Sequence, residues 1–453
     1  MYPVNLLYKD KNMKLRKKIK FEKVPHFIQI ETSYNCNARC AFCYNPCRNT
    51  PINGEKIKKV VKAIAKSHVP QVQLTGGEVS TLSTKLLNEL INTLAKNSSV
   101  TIQTNANKYI PRLTKKLAAI YISLHGTKEY HEKLQKPAKW ETIVKNIKKY
   151  VRDGFEVNCD FTLTSANYTN FEEIAMMAAE WGVHQYSVNK FEPAGLGVNN
   201  FAKLMPTVDQ FKNLLSQMIR VQKKTKMLVG FCTAIPYCLD LRMAEYGLLS
   251  NCGAGVSFLS VSPDGEVRIC NQSSTSYGNI LKSDIIEIQN NKKINEFRNK
   301  SWVTKPCSSC FLFDLCLGGC KVDNSIDQKY CVDYAVRGLK KCPVDRKKFF
   351  ERVKKYENKR DKLFVKSPLR DNDQFKIDRF TKLNQIKSGA ILVTRYQSIK
   401  LDKISSELTK IVMENKSYKE MLSEVSEHDF DNKELDKFLR ALIHLDAIQR
   451  ITK

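Results

Sequence analysis

Between His26 and about Phe191 the chain alternates short runs rich in β-branched and aromatic residues with longer stretches whose apolar positions recur every three or four residues. The runs at 27–32, 72–75, 100–104, 119–124, 157–164 and 186–191 predict strands, and the stretches at 55–67, 83–96, 140–153 and 171–181 predict helices between them. Six such βα repeats predict an α/β fold with a parallel sheet or an open barrel, whose site gathers at the C-terminal ends of the strands. A further helix is expected over 208–223, after which periodicity fades. From Phe231 to Pro343 the chain is rich in Cys, Gly and Ser, and bound clusters would hold it better than apolar burial. From about Phe375 the pattern returns, with a strand at 391–394 and helices at 404–414, 418–425 and 433–445. The expected divisions are a basic N-terminal segment (1–24), the βα unit (25–230), a cysteine-rich domain (231–345), a basic helical linker (346–374) and a small C-terminal domain (375–453).

The 453 residues are 42% hydrophobic, as in a folded water-exposed protein, and no apolar run approaches membrane-spanning length, so no membrane partner is expected. The N-terminus is basic without an apolar core and cleavage site, which predicts a cytoplasmic protein. Lys and Arg number 75 against 46 Asp and Glu, a balance that suits an acidic peptide, an acidic electron carrier or nucleic acid, and equally a lysine-rich proteome. The richest stretch, 337–366, holds thirteen basic and four acidic residues, with Phe349, Val353 and Tyr356 at helical spacing, and predicts a solvated helix. Fifteen cysteines in a chain kept reduced argue for metal ligation rather than disulfides. Four lie between 36 and 47 and ten between 232 and 342, which predicts two metal regions.

Cys36, Cys40 and Cys43 follow the first strand with the spacing CxxxCxxC. Three thiolates at that spacing can bind three irons of a [4Fe–4S] cubane and leave the fourth open to a small molecule. With Phe42 before the third cysteine, and Thr75-Gly76-Gly77-Glu78 after the second strand, the sequence resembles the radical S-adenosylmethionine (radical SAM) superfamily. The resemblance implies a partial (β/α)6 barrel and reductive cleavage of S-adenosylmethionine to a 5′-deoxyadenosyl radical. By the same likeness, Gly76, Gly77 and Glu78 would receive the methionyl amino group. Thr104, Asn105, Ser123 and His125 would contact its ribose and carboxylate, with Thr162, Asn167 and the run 191–195 supplying the late-barrel contacts. His125 and Gln135 depart from the Asp and Arg usual there, and the likeness singles out no catalytic acid or base.

The later cysteines read C-x12-G-x4-C from Cys252 to Cys270, then C-x2-C-x5-C-x3-C from Cys307 to Cys320, then Cys342. Paired CxxC spacing alone would admit zinc. The full order resembles the SPASM domain, which implies two auxiliary [4Fe–4S] clusters. One would use Cys252, Cys270, Cys320 and Cys238, with Cys232 as the alternative to Cys238. The other would use Cys307, Cys310, Cys316 and Cys342, with Cys331 competing for the last place. Cys47, Cys159 and the cysteines not chosen are expected to be buried and free. Residues 252–270 also predict a hairpin turning at Pro263-Asp264-Gly265.

Residues 398–448 resemble the PqqD-like winged helix, which implies recognition of a precursor peptide's leader sequence, added as a strand beside 391–394. The combined expectation is maturation of a ribosomally made peptide by hydrogen abstraction and oxidative cross-linking, through a thioether, carbon–carbon or ether bond. A flavodoxin or ferredoxin-type electron donor is also expected. One rival is a formylglycine-generating oxidase of the sulfatase-maturase kind; such enzymes carry an Asp after a cluster cysteine, where this chain has Asn271. Another is an iron–sulfur nucleic-acid-binding regulator, which leaves the Gly-Gly-Glu segment unexplained.

Overall fold

The computed structural model describes residues 24–321, 333–364, 369–386, 389–395, 398–414, 416–426, 432–444 and 447–451. The basic N-terminal stretch through residue 23, and Cys331, lie outside them.

Six parallel strands stand where the pattern predicts them: β1 (Phe27–Glu31), β2 (Gln71–Thr75), β3 (Ser99–Thr104), β4 (Ala119–Ser123), β5 (Val157–Leu163) and β6 (Gln185–Lys190). They pair in chain order, with helices α1 (Gly54–Lys66), α2 (Thr84–Leu94), α3 (Lys128–Leu134), α4 (Trp140–Arg152) and α5 (Phe171–Glu180) in their connections, α3 and α4 both between β4 and β5 and, among the described residues, none between β3 and β4. Helix α1 shows how the sequence sets an element. The Asn53 side chain accepts from the Lys56 amide at its start, and Ile57, Val60, Val61 and Ile64 form its buried stripe. Helix α3 was not anticipated, because its seven residues are too short for an apolar period to show.

The sheet is larger than six strands. After α6 (Val208–Lys224), β7 (Leu228–Phe231) extends it parallel to β6, while β8 (Phe258–Val261) adds parallel to β1 at the other side. A short β9 (Val267–Arg268) returns antiparallel beside β8, the predicted hairpin, giving the order β9-β8-β1-β2-β3-β4-β5-β6-β7. The cysteine-rich segment is therefore sewn into the barrel sheet. Arg268 on β9 pairs with buried Glu31 at the end of β1. Ile235, Tyr237, Leu259 and Val261 share one apolar core with the barrel strands. The helix at the expected linker, α7 (Arg346–Phe364), buries Phe349, Phe350 and Val353 in that same core, so this part of it is a packed element rather than a solvated connector.

Period-two alternation divides the strands into two faces. Ile28, Ile30, Val72, Leu74, Ile120, Ile122 and Phe161 point outward under the helices. Gln29, Gln73, Gln103, Ser123, Asp160 and Thr162, at the alternate positions, line a cavity.

The C-terminal unit has its own core. Strands β11 (Lys382–Ile386), β12 (Gly389–Val393) and β13 (Ser398–Leu401) form an antiparallel sheet in that order, followed by helices α8 (Lys403–Met413), α9 (Tyr418–Ser426) and α10 (Asn432–His444). Strand β10 (Gln374–Ile377) pairs separately with β14 (Ile448–Ile451). The strand expected at 391–394 is thus the central strand of three, with both edges already paired. A peptide cannot add beside it, and the sheet's outer edges belong to β11 and β13.

This unit sits against the N-terminal ends of the barrel strands. Arg395 donates to the Ala118 carbonyl at 2.7 Å and pairs with Glu156 at 3.0 Å, just before β4 and β5. Lys382 Nζ donates to the Ala95 and Ser98 carbonyls at 2.7 Å each. Among the described residues no helix is long and apolar enough to cross a membrane. Charge-assisted bonds of this kind contribute about 1.5–3 kcal/mol each. Arg395→Ala is expected to raise hydrogen exchange in β11 to β13 and give the C-terminal unit an earlier melting transition, leaving exchange in β1 to β6 unchanged.

Candidate active site

The cysteine loop leaves β1 and is held from three directions. A two-residue ladder joins Arg39 and Cys40 to Gln135 and Lys136. Gly197 donates to the Cys43 carbonyl at 2.7 Å, and Asn200 Nδ2 donates to the Ala41 carbonyl at 2.8 Å. Cys36, Cys40 and Cys43 all open onto the cavity. Burial pushes the Cys36 thiol up to about 11 and Cys40 well above its ordinary value, with Cys43 adding to both. The three thiols are thus close enough to act on one another.

The Gly-Gly-Glu segment lies directly on this loop. The Gly77 and Glu78 amides donate to the Ser33 and Asn35 carbonyls at 2.7 and 2.8 Å. A side chain on Gly77 would collide with the Asn35 carbonyl, and Gly76 has a φ of 126°, so both positions require glycine. The buried Glu78 carboxylate accepts from Thr104 Oγ1 at 2.6 Å, Ser80 N at 2.9 Å and Asn105 N at 2.7 Å. That fills three of its roughly four acceptor positions. Asn105 Nδ2 donates to Asn37 Oδ1 at 2.7 Å, closing the circuit back to the cysteine loop.

Ser123, His125 and Thr162 line the cavity as well. The His125 ring accepts the Thr162 amide through Nδ1 at 3.1 Å, and His131 Nδ1 accepts the His125 amide at 3.1 Å. A protonated ring cannot accept through Nδ1, and burial moves both rings the same way, His131 down to about 4. Asn167 is different. Its Oδ1 accepts from Thr164 and its Nδ2 donates to the His125 and Thr162 carbonyls, so it clasps the strand ends from behind and does not border the cavity.

The later cysteines form two groups. Cys252, Cys270 and Cys320 border the same cavity, and Cys252 acts electrostatically on Cys270, whose thiol burial pushes up to about 12. Cys307, Cys310, Cys316 and Cys342 lie away from the cavity lining and act on one another. Cys238 belongs with this second group, since burial and then Cys316, Cys342, Cys307 and Cys310 raise it, and the Tyr237 amide touches Cys316 Sγ. Its expected place beside Cys252 and Cys270 is therefore corrected. The chain enters the second group from β7 and reaches the first only at Cys252.

Cys159 is buried as expected, whereas Cys47 is exposed and Cys232 opens into the barrel. Cys232 lies near Asp160 and Tyr121, not beside the later cysteines. Asp160 escaped the sequence reading because a single carboxylate in a strand carries no motif. Burial lifts it to about 7, opposed by a hydrogen bond from Gln103. No three His, Cys, Asp or Glu side chains among the described residues converge as ligands of a single ion do. A cubane instead takes each thiolate on a different iron, and mutually interacting but non-converging thiols suit it. The cavity measures about 2970 Å³, several times the roughly 300–1,000 Å³ of a small-molecule pocket.

Comparison with known families agrees with this geometry. Residues 30–179 match the radical SAM superfamily and residues 252–311 match SPASM, an iron–sulfur cluster-binding domain. The chain is a radical SAM/SPASM enzyme. Its cofactors are accordingly S-adenosylmethionine, a [4Fe–4S] cluster and auxiliary clusters. Among the relatives of this radical SAM/SPASM enzyme, the PqqA peptide cyclase of Bradyrhizobium diazoefficiens is 23% identical over 330 residues, 66% of this chain and 82% of that protein. The mycofactocin maturase MftC of Mycobacterium tuberculosis is 25% identical over 313 residues, 65% of this chain and 78% of the other. In fold the chain is similar to SuiB of Streptococcus suis bound to S-adenosylmethionine, with a TM-score of 0.55 at 16% identity, covering 71% of this chain and 78% of that one.

The neutral histidines make stability depend on acid. The unfolded chain takes up a proton on His131 as pH falls through 6.5, the folded chain only near 4, so stability present at neutral pH is lost across that window. The loss is on the order of 3 kcal/mol for His131. Thermal melts from pH 7 to 4.5 should show it, and His131→Asn, which keeps an acceptor for the His125 amide, should lessen the slope.

Proposed function

We propose that the chain is a peptide maturase that uses S-adenosylmethionine to abstract hydrogen from a residue of a ribosomally made precursor peptide and form an oxidative cross-link. The observation that carries this reading is one cavity bordered by the first three cysteines, the Gly-Gly-Glu segment and three later cysteines, with room for a peptide beside a cofactor. The relatives named as a peptide cyclase and a maturase, and the solved complex of SuiB with the precursor peptide SuiA, support it.

In this reading Cys36, Cys40 and Cys43 hold the cluster at which S-adenosylmethionine is cleaved. Gly76, Gly77 and Glu78 present carbonyls and one remaining carboxylate position to the methionyl amine, and Thr104, Asn105, Ser123, His125 and Thr162 form the adjoining wall. When bound, the reduced cluster and S-adenosylmethionine supply a 5′-deoxyadenosyl radical. Cys252, Cys270 and Cys320 hold one auxiliary cluster beside the cavity. Cys307, Cys310, Cys316 and Cys342 hold the other, with Cys238 as a fifth neighbour. The net charge of +29 suits an acidic flavodoxin or ferredoxin-type donor.

Leader recognition is assigned to the C-terminal unit, whose three antiparallel strands and three helices support a PqqD-like reading. The peptide would add along the β13 edge, where Ile399, Lys400 and Leu401, with Ile443 of α10, border the same cavity far from the cysteine loop. Ile443→Glu is expected to weaken precursor binding about tenfold by calorimetry, because it replaces an apolar side chain at the cavity lining beside β13 with a charge. Cleavage of S-adenosylmethionine without peptide should stay unchanged.

Anaerobic reconstitution tests the chemistry. Three cubanes require about twelve irons per chain, and reductant with S-adenosylmethionine should release 5′-deoxyadenosine. Replacing Cys36, Cys40 and Cys43 together with Ala should remove about a third of the iron and all of the cleavage. Cleavage surviving that change would refute the assignment.

A further inference from the structure

A cluster of charges is sealed between the end of β6 and the cysteine-rich segment. Lys190, the last residue of β6, places Nζ 3.3 Å from Glu192 Oε1 and 3.0 Å from Asp333 Oδ1, with side chains only 4%, 0% and 0% exposed. Asp333 faces both ways. Its Oδ1 also accepts the Ala335 amide at 3.0 Å, and its Oδ2 accepts the Cys320 amide at 2.9 Å. A side chain on Gly319 would press against Asp333, so the chain leading into Cys320 is shaped to this carboxylate. On the other side, Glu192 acts electrostatically on Cys270. The three charges thus join the catalytic end of the barrel to two of the three later cysteines that border the cavity.

Burying three charges costs several kcal/mol per ion before pairing offsets it, and apolar residues of similar size commonly stabilise a fold as well or better. Packing alone is a poor reason for a lysine here. Charges and hydrogen bonds just outside the ligands are a principal means by which a protein sets the reduction potential of an iron–sulfur cluster.

We propose that Lys190 is a positioning residue that, through Asp333, fixes the Cys320 loop on the barrel and sets how readily the auxiliary cluster at Cys252, Cys270 and Cys320 accepts an electron. This rests on the reading of those cysteines as ligands. Reduction adds a negative charge to the cluster, and in a water-poor site a neighbouring charge is felt strongly. The Lys190 ammonium therefore favours reduction and the Asp333 carboxylate opposes it. Removing one or the other should move the potential in opposite directions, which a purely structural role would not do.

The experiment is a redox titration followed by electron paramagnetic resonance on reconstituted full-length protein, with iron measured in parallel. Lys190→Met should make the auxiliary cluster about tenfold harder to reduce, and Asp333→Asn should make it easier by a similar factor. The double variant Lys190→Met/Asp333→Asn, which buries no unpaired partner of that ion pair, should fall between the two and keeps the test open if Lys190→Met fails to fold. Shifts of the same sign, or unshifted potentials at unchanged iron content, overturn the proposal while leaving the ligand assignment intact. Cys320→Ser reports on that assignment separately. If it leaves iron content and signals as in the parent protein, the ligand reading fails and the proposal falls with it.

Discussion

A parallel sheet usually buries both faces, and its strands then read as continuous apolar runs. Here the strands alternate instead, with Ile28, Ile30, Leu74 and Ile122 on the helix side and Gln29, Gln73, Ser123 and Asp160 on the other. That alternation is the constraint on which the molecule depends. It forces the second face to remain wet or to hold a polar ligand, so the sheet curls around a cavity rather than stacking helices on both sides. The cysteine loop, the Gly-Gly-Glu segment and three later cysteines all border that one space.

Much of this was legible in the sequence because each feature is local. The six strands lie within a residue or so of the positions that periodicity predicts, since each combines a short β-rich run with a flanking amphipathic helix. The Gly-Gly-Glu turn was legible for a sharper reason. Gly76 and Gly77 pack on the backbone of residues 32–35, where any side chain would clash, so their residue type records the contact. Asn167 misled because its type fits both a cofactor contact and a strand-end clasp, and only its four hydrogen bonds distinguish the two.

What remained hidden is long-range. Nothing in the four residues of β7, or in the short β8, announces that both complete the barrel sheet. Cys238 was grouped by motif order, whereas the fold decides by path, because the chain arriving from β7 meets Cys316 before it turns back toward Cys252. Lys190, Glu192 and Asp333 sit at positions 190, 192 and 333, and no spacing rule links residues so far apart. Their meeting depends on the cysteine-rich segment being joined to the sheet through β8 and through the Arg268–Glu31 ion pair.

In the proposed reading, the same topology separates recognition from chemistry. Arg395 and Lys382 hold the C-terminal unit at the N-terminal ends of the strands, while the cysteine loop and Glu78 follow the C-terminal ends of β1 and β2. Strand β5 has seven residues, and at about 3.3 Å each it spans roughly 23 Å. A peptide paired along β13 is therefore remote from the first three cysteines by at least the length of a strand. It reaches them only through a further extended stretch of about seven residues, or more if it runs outside the helices. In the proposed reading, the part of a precursor that is gripped and the part that reacts are then distinct segments with a spacer between them. In that reading the grip can be tight without ordering the reacting residue, so that the wall around the first three cysteines, and not the β13 edge, selects which residue is presented.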